Sequence, residues 1–423
     1  RERAGDYGRS EASLRRALAA AREAPAPELA LVAAIELAFV VGYREARPAE
    51  GDVWAEAART QLALLPGEHP LERADLDNNV GTIRYMAGDY AGAARLYTAA
   101  LEARERSLGA EHPRVADSLN NLAGVRFAAG EYAESARLHG RALVMYEQLL
   151  GPDHPQVATS LSNLAMSMQA TGQLDEATRT LARALAIREA ALGPEHPQTA
   201  ASLANLALIL QERGADEEAA LLYARARDLY ARALGEDHPK VAECLHNLAT
   251  VRFTRGEYGE SAALLVRAIG LYERSSADAG NLDLANSLAA LGEVREATGA
   301  HAEALALFSR ARAMIERSAG ADHPNMAIVL QGLGTALVGL GRTSEAVGPL
   351  EQALAIGAAF GANAAELAEP RFVLAQALAS TDLPRARALA EQAREGLAGG
   401  GGGRREAQAR VQARVDAWLA AHR

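Results

Sequence analysis

A glycine returns at positions 88, 130, 172, 214, 256, 299 and 341, in steps of 42, 42, 42, 42, 43 and 42 residues. A His-Pro pair keeps the same beat at 69, 112, 154, 196, 238 and 323. Between 238 and 323, where a further pair is due, the chain has Asn281-Leu282 followed by the usual LANSLAALG, so the unit persists while its opening signature is lost. A fixed period of this length marks a repeat architecture, and seven clear units lie between about residues 66 and 361.

Each unit has two helical halves. In the stretch 113–129, Leu119, Leu122, Ala123 and Arg126 fall at i, i+3, i+4 and i+7, which is one face of a helix. Gly130 follows as a stop, because glycine tolerates the left-handed conformation that ends helices. A second half runs over 132–150 and ends at Gly151; in the next unit its packed face carries Ala177, Leu181 and Ala184, whose alanines let neighbouring helices approach closely. A helical hairpin of this kind cannot cover its own apolar face, so the hairpins must stack into an all-α solenoid.

Composition agrees. Among the 423 residues, hydrophobic types make up 49% and aromatics 4%, with alanine and leucine dominant, a bias that suits helices. Acidic residues outnumber basic ones, 54 to 44, and the net charge of −10 opposes binding to a nucleic-acid backbone. Lys240 is the only lysine, so neither a P-loop nor a kinase-type catalytic lysine has a candidate in the right context. Cys244 stands alone, which excludes an intrachain disulfide or a cysteine-based zinc site and points to a reducing compartment, the cytoplasm. The most apolar run, residues 28–41, is short for a bilayer and carries Glu36 in its middle, so it reads as a buried helix. The chain opens on Arg1 without a signal-peptide pattern, and the expectation is of a piece of a longer protein.

The stretch SLNNLAGVRFAAGEYAESARLHGRAL (118–143), with LGAEHPRVA before it and LGPDHPQVA after it, resembles a tetratricopeptide repeat (TPR) of the 42-residue variety seen in kinesin light chains and many bacterial proteins. The resemblance is strong over about 66–276 and looser over 277–361. It implies a right-handed superhelix of antiparallel helix pairs. Around this array, residues 1–65 are expected to be degenerate TPR-like helices, with GDYGRSEASLRRALA (5–19) the second helix of an earlier unit. Residues 362–398 are expected to hold a degenerate last pair (its hairpin over 370–397), 399–403 a glycine linker, and 404–423 a helix that caps the open end through Val411, Val415, Trp418 and Leu419.

Two recurring polar residues are candidates for chemistry. Histidines set one per hairpin, a full repeat apart, cannot converge on one metal ion. Proline at a first helical position instead makes the preceding histidine an N-cap, with an imidazole nitrogen accepting a free N–H of the helix end. The other histidines, 139, 246, 301 and 422, share no spacing. Asparagines stand nine residues before the central glycine at Asn79, Asn121, Asn163, Asn205 and Asn247. At 100° per residue Asn121 lies about 200° round from Leu119, on the side shared by Asp117, Gly124 and Ala128. Asparagine is a poor helix-interior residue, and its carboxamide can pair with any peptide backbone.

In TPR proteins this side of the first helices is the concave groove, and the resemblance implies that asparagines so placed hold the backbone of an extended peptide. Asp117 and Asn120 are counted with the row as candidate groove residues. The alternative, that each amide bonds to the neighbouring first helix and stiffens the stack, stays open. Ala290 and Gly332 replace asparagine in the sixth and seventh units, which limits the expected groove to the first five. The lysines that grip a terminal carboxylate in chaperone-binding TPR clamps are missing. Arg84, Arg126, Arg252 and Arg295 either charge the groove or lie along the apolar face as snorkelling side chains.

GLGTALVGLG (332–341) falls inside a first helix with no strand before it, which excludes a phosphate loop, and Cys244 reads as a packed small residue. The expected function is a non-enzymatic scaffold for a protein or peptide partner. Cofactor, metal, nucleic acid, membrane insertion and small-molecule substrate are not expected. The second reading is a regulatory module of a larger bacterial signalling protein. Arginine-for-lysine usage suggests a high-GC genome, and similar arrays follow serine/threonine kinase domains in such bacteria.

Overall fold

The computed structural model describes residues 7–24, 26–275, 281–398 and 405–422; the glycine-rich stretch 399–403 lies outside them. Within the described residues there are twenty α-helices, one π-helical turn and no strand. The chain divides into two compact units, 1–194 and 195–423.

The first unit opens with α1 (Tyr7–Glu23), α2 (Pro27–Phe39), a π-helical turn at Val40–Arg44, and α3 (Pro48–Leu64). Three regular hairpins follow, α4 (Pro70–Met86) with α5 (Tyr90–Leu108), α6 (Pro113–Ala128) with α7 (Tyr132–Leu150), and α8 (Pro155–Ala170) with α9 (Leu174–Leu192). Each second helix packs on the first helix of the next hairpin, α5 on α6 and α7 on α8, and α6 also touches α8. The apolar run at 28–41 is the buried helix expected of it, with Leu31, Leu37 and Val40 fully enclosed.

The second unit holds four more hairpins: α10 (Pro197–Glu212) with α11 (Asp216–Leu234), α12 (Pro239–Thr254) with α13 (Tyr258–Ser275), α14 (Leu282–Ala297) with α15 (His301–Ala319), and α16 (Pro324–Gly339) with α17 (Thr343–Ala359). Its end is built from α18 (Ala368–Leu378), α19 (Leu383–Ala398) and α20 (Arg405–Ala421). Val415 of α20 is fully buried, Trp418 meets Phe372 edge-on with ring centroids 6.4 Å apart, and Arg414 lies over the same Phe372 ring. The last helix therefore covers the apolar side of α18 and α19, which would otherwise face water.

The repeat signature punctuates the helices as the residue types require. Gly130 and Gly151 take φ of +79° and +87°, a region closed to most side chains, and so close the two helices of one hairpin. Histidine caps the next helix. Nδ1 of His112, His154, His196, His238 and His323 accepts the N–H two residues on, at 3.1–3.2 Å. His69 departs from this and sets Nε2 against the Pro66 carbonyl at 3.1 Å instead. Where the His-Pro pair is lost, Asn281 takes over with Oδ1 accepting from Asp283 and Leu284 at 2.9 and 3.2 Å. The cap is thus kept although its residue type changes.

Changing His154 to Ala should lower stability by about 1 kcal/mol, and His154 to Asn should restore most of it. Denaturant midpoints check this, and equal losses in H154A and H154N would refute the cap.

On the exposed side of the second helices, arginines reach back one repeat to glutamates: Arg141 to Glu105 and Arg183 to Glu147 in the first unit, Arg310 to Glu273 in the second. Such surface pairs each contribute at most about 1 kcal/mol, so they fix register more than they stabilise.

Candidate functional site

The outward side of the first helices is where the asparagines fall. All five, Asn79, Asn121, Asn163, Asn205 and Asn247, are half-buried, between the buried leucines beside them and open solvent. The carboxamides are used differently in the two units.

In the first unit they are linked in series. Asn121 donates from Nδ2 to Oδ1 of Asn78 at 3.0 Å, and Asn163 donates to Oδ1 of Asn120 at 3.1 Å, each bond joining a first helix to the one before it. Asn79 donates to the Ile35 carbonyl of α2 at 3.3 Å and also lies 3.4 Å from the Asn78 amide. These are the bracing contacts that the sequence left as an alternative to the groove. One N–H of each amide is committed to a neighbour and Oδ1 of Asn121 and Asn163 is left to solvent.

In the second unit the same position behaves otherwise. The place from which Asn78 and Asn120 accept is occupied by Ala204 in α10, which offers no side-chain acceptor to Asn247. Neither Asn205 nor Asn247 makes a side-chain hydrogen bond to another described residue. Bracing here is done by other pairs, Asn325 to Asn286 at 2.9 Å and His246 with Ser287 at 3.0 Å.

Asp117, also expected on this side, is exposed and accepts the Tyr146 hydroxyl at 2.6 Å; burial and then that carboxylate push the phenol well above its ordinary range. Sequence reasoning missed Asn78, although the doublets at 78–79 and 120–121 stand 42 residues apart. It also missed Arg104, which is 6% exposed and donates to Ser118 Oγ at 2.6 Å and to Asp75 at 2.8 Å, while Arg114 joins the same Asp75 oxygen. Burial lowers the Arg104 guanidinium from its ordinary value. It is tied by the carboxylate and hydroxyl of the two helices it joins, as a buried charge must be.

The four arginines offered as groove charges are each in ion pairs: Arg84 with both oxygens of Asp52 at 3.0 Å, Arg126 with Glu131, Arg252 with Glu257, and Arg295 with Glu303. Cys244 is buried, and burial pushes its thiol up to about 12, far from the thiolate a nucleophile needs. The glycine-rich stretch at 332–341 lies mostly within α16, with no loop to cradle a phosphate. Among the described residues no group of three or more His, Cys, Asp or Glu is placed to hold a metal ion, and no helix is long and apolar enough to cross a membrane.

Solved structures with similarity to this chain include a putative kinesin light chain from Podosopora anserina with nearly identical TPR-like repeats, 26% identical, covering 49% of this chain and 98% of that one with a TM-score of 0.45. The apo form of RapI is 13% identical over 86% of this chain and 97% of its own, with a TM-score of 0.59. Aspartyl phosphate phosphatase F from Bacillus subtilis is 13% identical over 86% and 93%, with a TM-score of 0.54. The last two share the fold with this chain across most of its length. A comparison with curated protein sequences finds no match. The tetratricopeptide repeat model matches residues 72–148, 114–190, 156–232, 218–274 and 283–359, the first four overlapping and the last separate, and between them they span most of the array. The chain belongs to the tetratricopeptide repeat family.

Proposed function

We propose that the chain is a non-enzymatic scaffold that holds an extended segment of a partner protein along the outward side of its first helices. Tetratricopeptide repeats are generally protein-interaction scaffolds. The observation that carries the finer reading is the state of Asn205 and Asn247, half-buried carboxamides with donors and acceptors left over on a helix side shared with Ala201, Ala204, Leu208 and Glu212 in α10 and with Glu243, His246, Thr250 and Thr254 in α12. Asparagine inside a helix is disfavoured against alanine, and bracing does not account for it at Asn247. An extended backbone offers a carbonyl and an N–H in the spacing a carboxamide can meet on both its ends. A reducing, cytoplasmic setting and a place in bacterial signalling belong to the same proposal; the lone buried Cys244 supports the former.

Affinity capture from the source lysate tests it, with N205A/N247A beside the unchanged chain. The double variant should retain its helical signal and melt within about 2 °C of the parent, because no bond is lost, while capture of the specific partner falls about tenfold or more. Unchanged capture by the variant would refute the reading.

A further inference from the structure

We infer that Asn205 and Asn247 select a proline-rich segment in the polyproline II conformation, with a residue other than proline at every third position. The inference rests on the scaffold reading above and adds the shape and chemistry of the ligand. It follows from the spacing of the two carboxamides. They hold the same register on α10 and α12, the first helices of successive hairpins, which touch side by side. Packed helices lie about 8–10 Å apart from axis to axis, so a segment crossing both meets the second carboxamide that far along its length.

The period of the ligand backbone then decides which conformation fits. A β-strand rises about 3.3 Å per residue and repeats every two residues, so its equivalent groups recur at about 6.6 or 13.2 Å and miss the second carboxamide. A polyproline II helix rises about 3.1 Å with three residues per turn, and the same face returns after about 9.3 Å. Its N–H and C=O groups carry no internal hydrogen bonds, whereas an α-helical segment has spent its own.

Each carboxamide can donate from Nδ2 to a ligand carbonyl and accept an N–H at Oδ1. The first unit makes the donor half of this contact within the chain, where Asn121 donates to the Asn78 oxygen at 3.0 Å. For Asn247 the equivalent place holds Ala204, and a ligand carbonyl takes the part of the missing oxygen. Proline has no N–H to give, so the residue at each carboxamide must be of another type. The two residues between them turn to either side of the line of carboxamides. On α10 they meet Ala201, one turn before Asn205, and Leu208, one turn after it. On α12 they meet Glu243, whose carboxylate Lys240 holds at 2.6 Å, and Thr250, whose hydroxyl is spent on the His246 carbonyl at 3.2 Å. Uncharged pyrrolidine rings suit such neighbours, and a segment already in this conformation loses little freedom on binding.

Fluorescence anisotropy on the whole chain tests this with three labelled decapeptides, one repeating Ala-Pro-Pro, one repeating Ala-Pro and one repeating Ala-Gly-Ser. The Ala-Pro-Pro probe should bind at least about tenfold more tightly than either of the others. Ala-Pro keeps the conformation but brings an N–H to only one of the two carboxamides, and Ala-Gly-Ser keeps the N–H groups but not the conformation. N205A/N247A, with its helical signal retained, should weaken the Ala-Pro-Pro probe about tenfold and leave the other two unchanged. Equal binding of Ala-Pro-Pro and Ala-Pro, equal binding of Ala-Pro-Pro and Ala-Gly-Ser, or no binding of any probe would overturn the inference. If lysate capture is lost in N205A/N247A while the three probes bind alike, the scaffold reading stands and this inference falls. Unchanged capture together with unchanged Ala-Pro-Pro binding in that variant would overturn both.

Discussion

Putting back the asparagine that the repeat pattern calls for at Gly332 should destabilise the protein by about 2–3 kcal/mol. The position is nine residues before Gly341, as Asn121 is before Gly130, so a reading of the period alone makes G332N a repair. The side chain space is already taken. Phe308 of the preceding hairpin is fully buried, and a β-carbon on Gly332 would overlap its ring, while one on Gly292 would come within 2.8 Å of it from the other side. Two helix glycines, each costing up to about 1 kcal/mol of helix propensity, thus make room for one large ring. Elsewhere the same second-helix position carries Tyr97, His139, Leu181, Tyr223, Leu265 or Leu350, and only Phe308 has glycine at both Gly292 and Gly332 facing it. An asparagine at 332 gains a few tenths of a kcal/mol in propensity and must displace a ring packed to crystal-like density, and the second effect wins. F308L, by leaving a void, should lower stability by about 1–2 kcal/mol alone, yet G332N/F308L should be more stable than the sum of the two changes predicts, because the smaller side chain yields the space. Urea midpoints decide the matter. A G332N shift under about 0.5 kcal/mol, or strict additivity, would mean that the ring is free to move aside.

Gly332 also marks how far the sequence could be read. What the chain's own local period governs was legible there: the hairpins, the glycine stops and most of the histidine caps, since each depends on residues within a few positions of one another. Contacts made across a repeat were not. The bond from Asn121 to Asn78 depends on how far one first helix slides along its neighbour, which no spacing in the sequence states. The choice between groove and brace at the asparagines was therefore open, and their hydrogen bonding differs between the units because Asn78 and Asn120 offer an oxygen where Ala204 offers none. Exceptions to the pattern were the other blind spot. Asp77 occupies the place of the buried Leu119, Leu161, Leu203 and Leu245, and burial pushes its carboxyl above the ordinary range. Asn281 was counted as a lost signature although it keeps the cap, since capping needs an acceptor at the right reach and not an imidazole. The π-helical turn at Val40–Arg44, where Gly42 and Gly51 bring two helices into backbone contact, falls outside any period.

Acid should unfold the first unit through His139, by about 3 kcal/mol between pH 6.5 and 4. His139 is 3% exposed in α7, where other hairpins place Leu181, Tyr223 or Phe308. Its Nδ1 is buried without a hydrogen-bond partner among the described residues, and burial pushes the imidazole down from 6.5 to about 4. The direction follows from proton counting. Across that window the unfolded chain holds the His139 proton and the folded chain does not, so stability is present above pH 6.5 and is lost as pH falls toward 4. His246, also lowered mainly by burial, titrates in the same sense, whereas Asp77, raised by burial, gains stability as acid protonates it. The wild-type curve alone therefore mixes these groups with glutamates such as Glu11, where burial is outweighed by arginine partners, and Glu134, held low chiefly by Arg137, and the comparison with H139L isolates one. Leucine is the residue at the equivalent position of the next hairpin, and it removes a buried polar atom that nothing satisfies, so H139L should match or exceed the parent at pH 7.5. By pH 4.5 it should be ahead by a further 2–3 kcal/mol or so in denaturant midpoints converted at a common slope. Parallel curves for the two proteins would show that the imidazole takes up its proton in the folded state at no cost, and the buried site would have to open to water to let it.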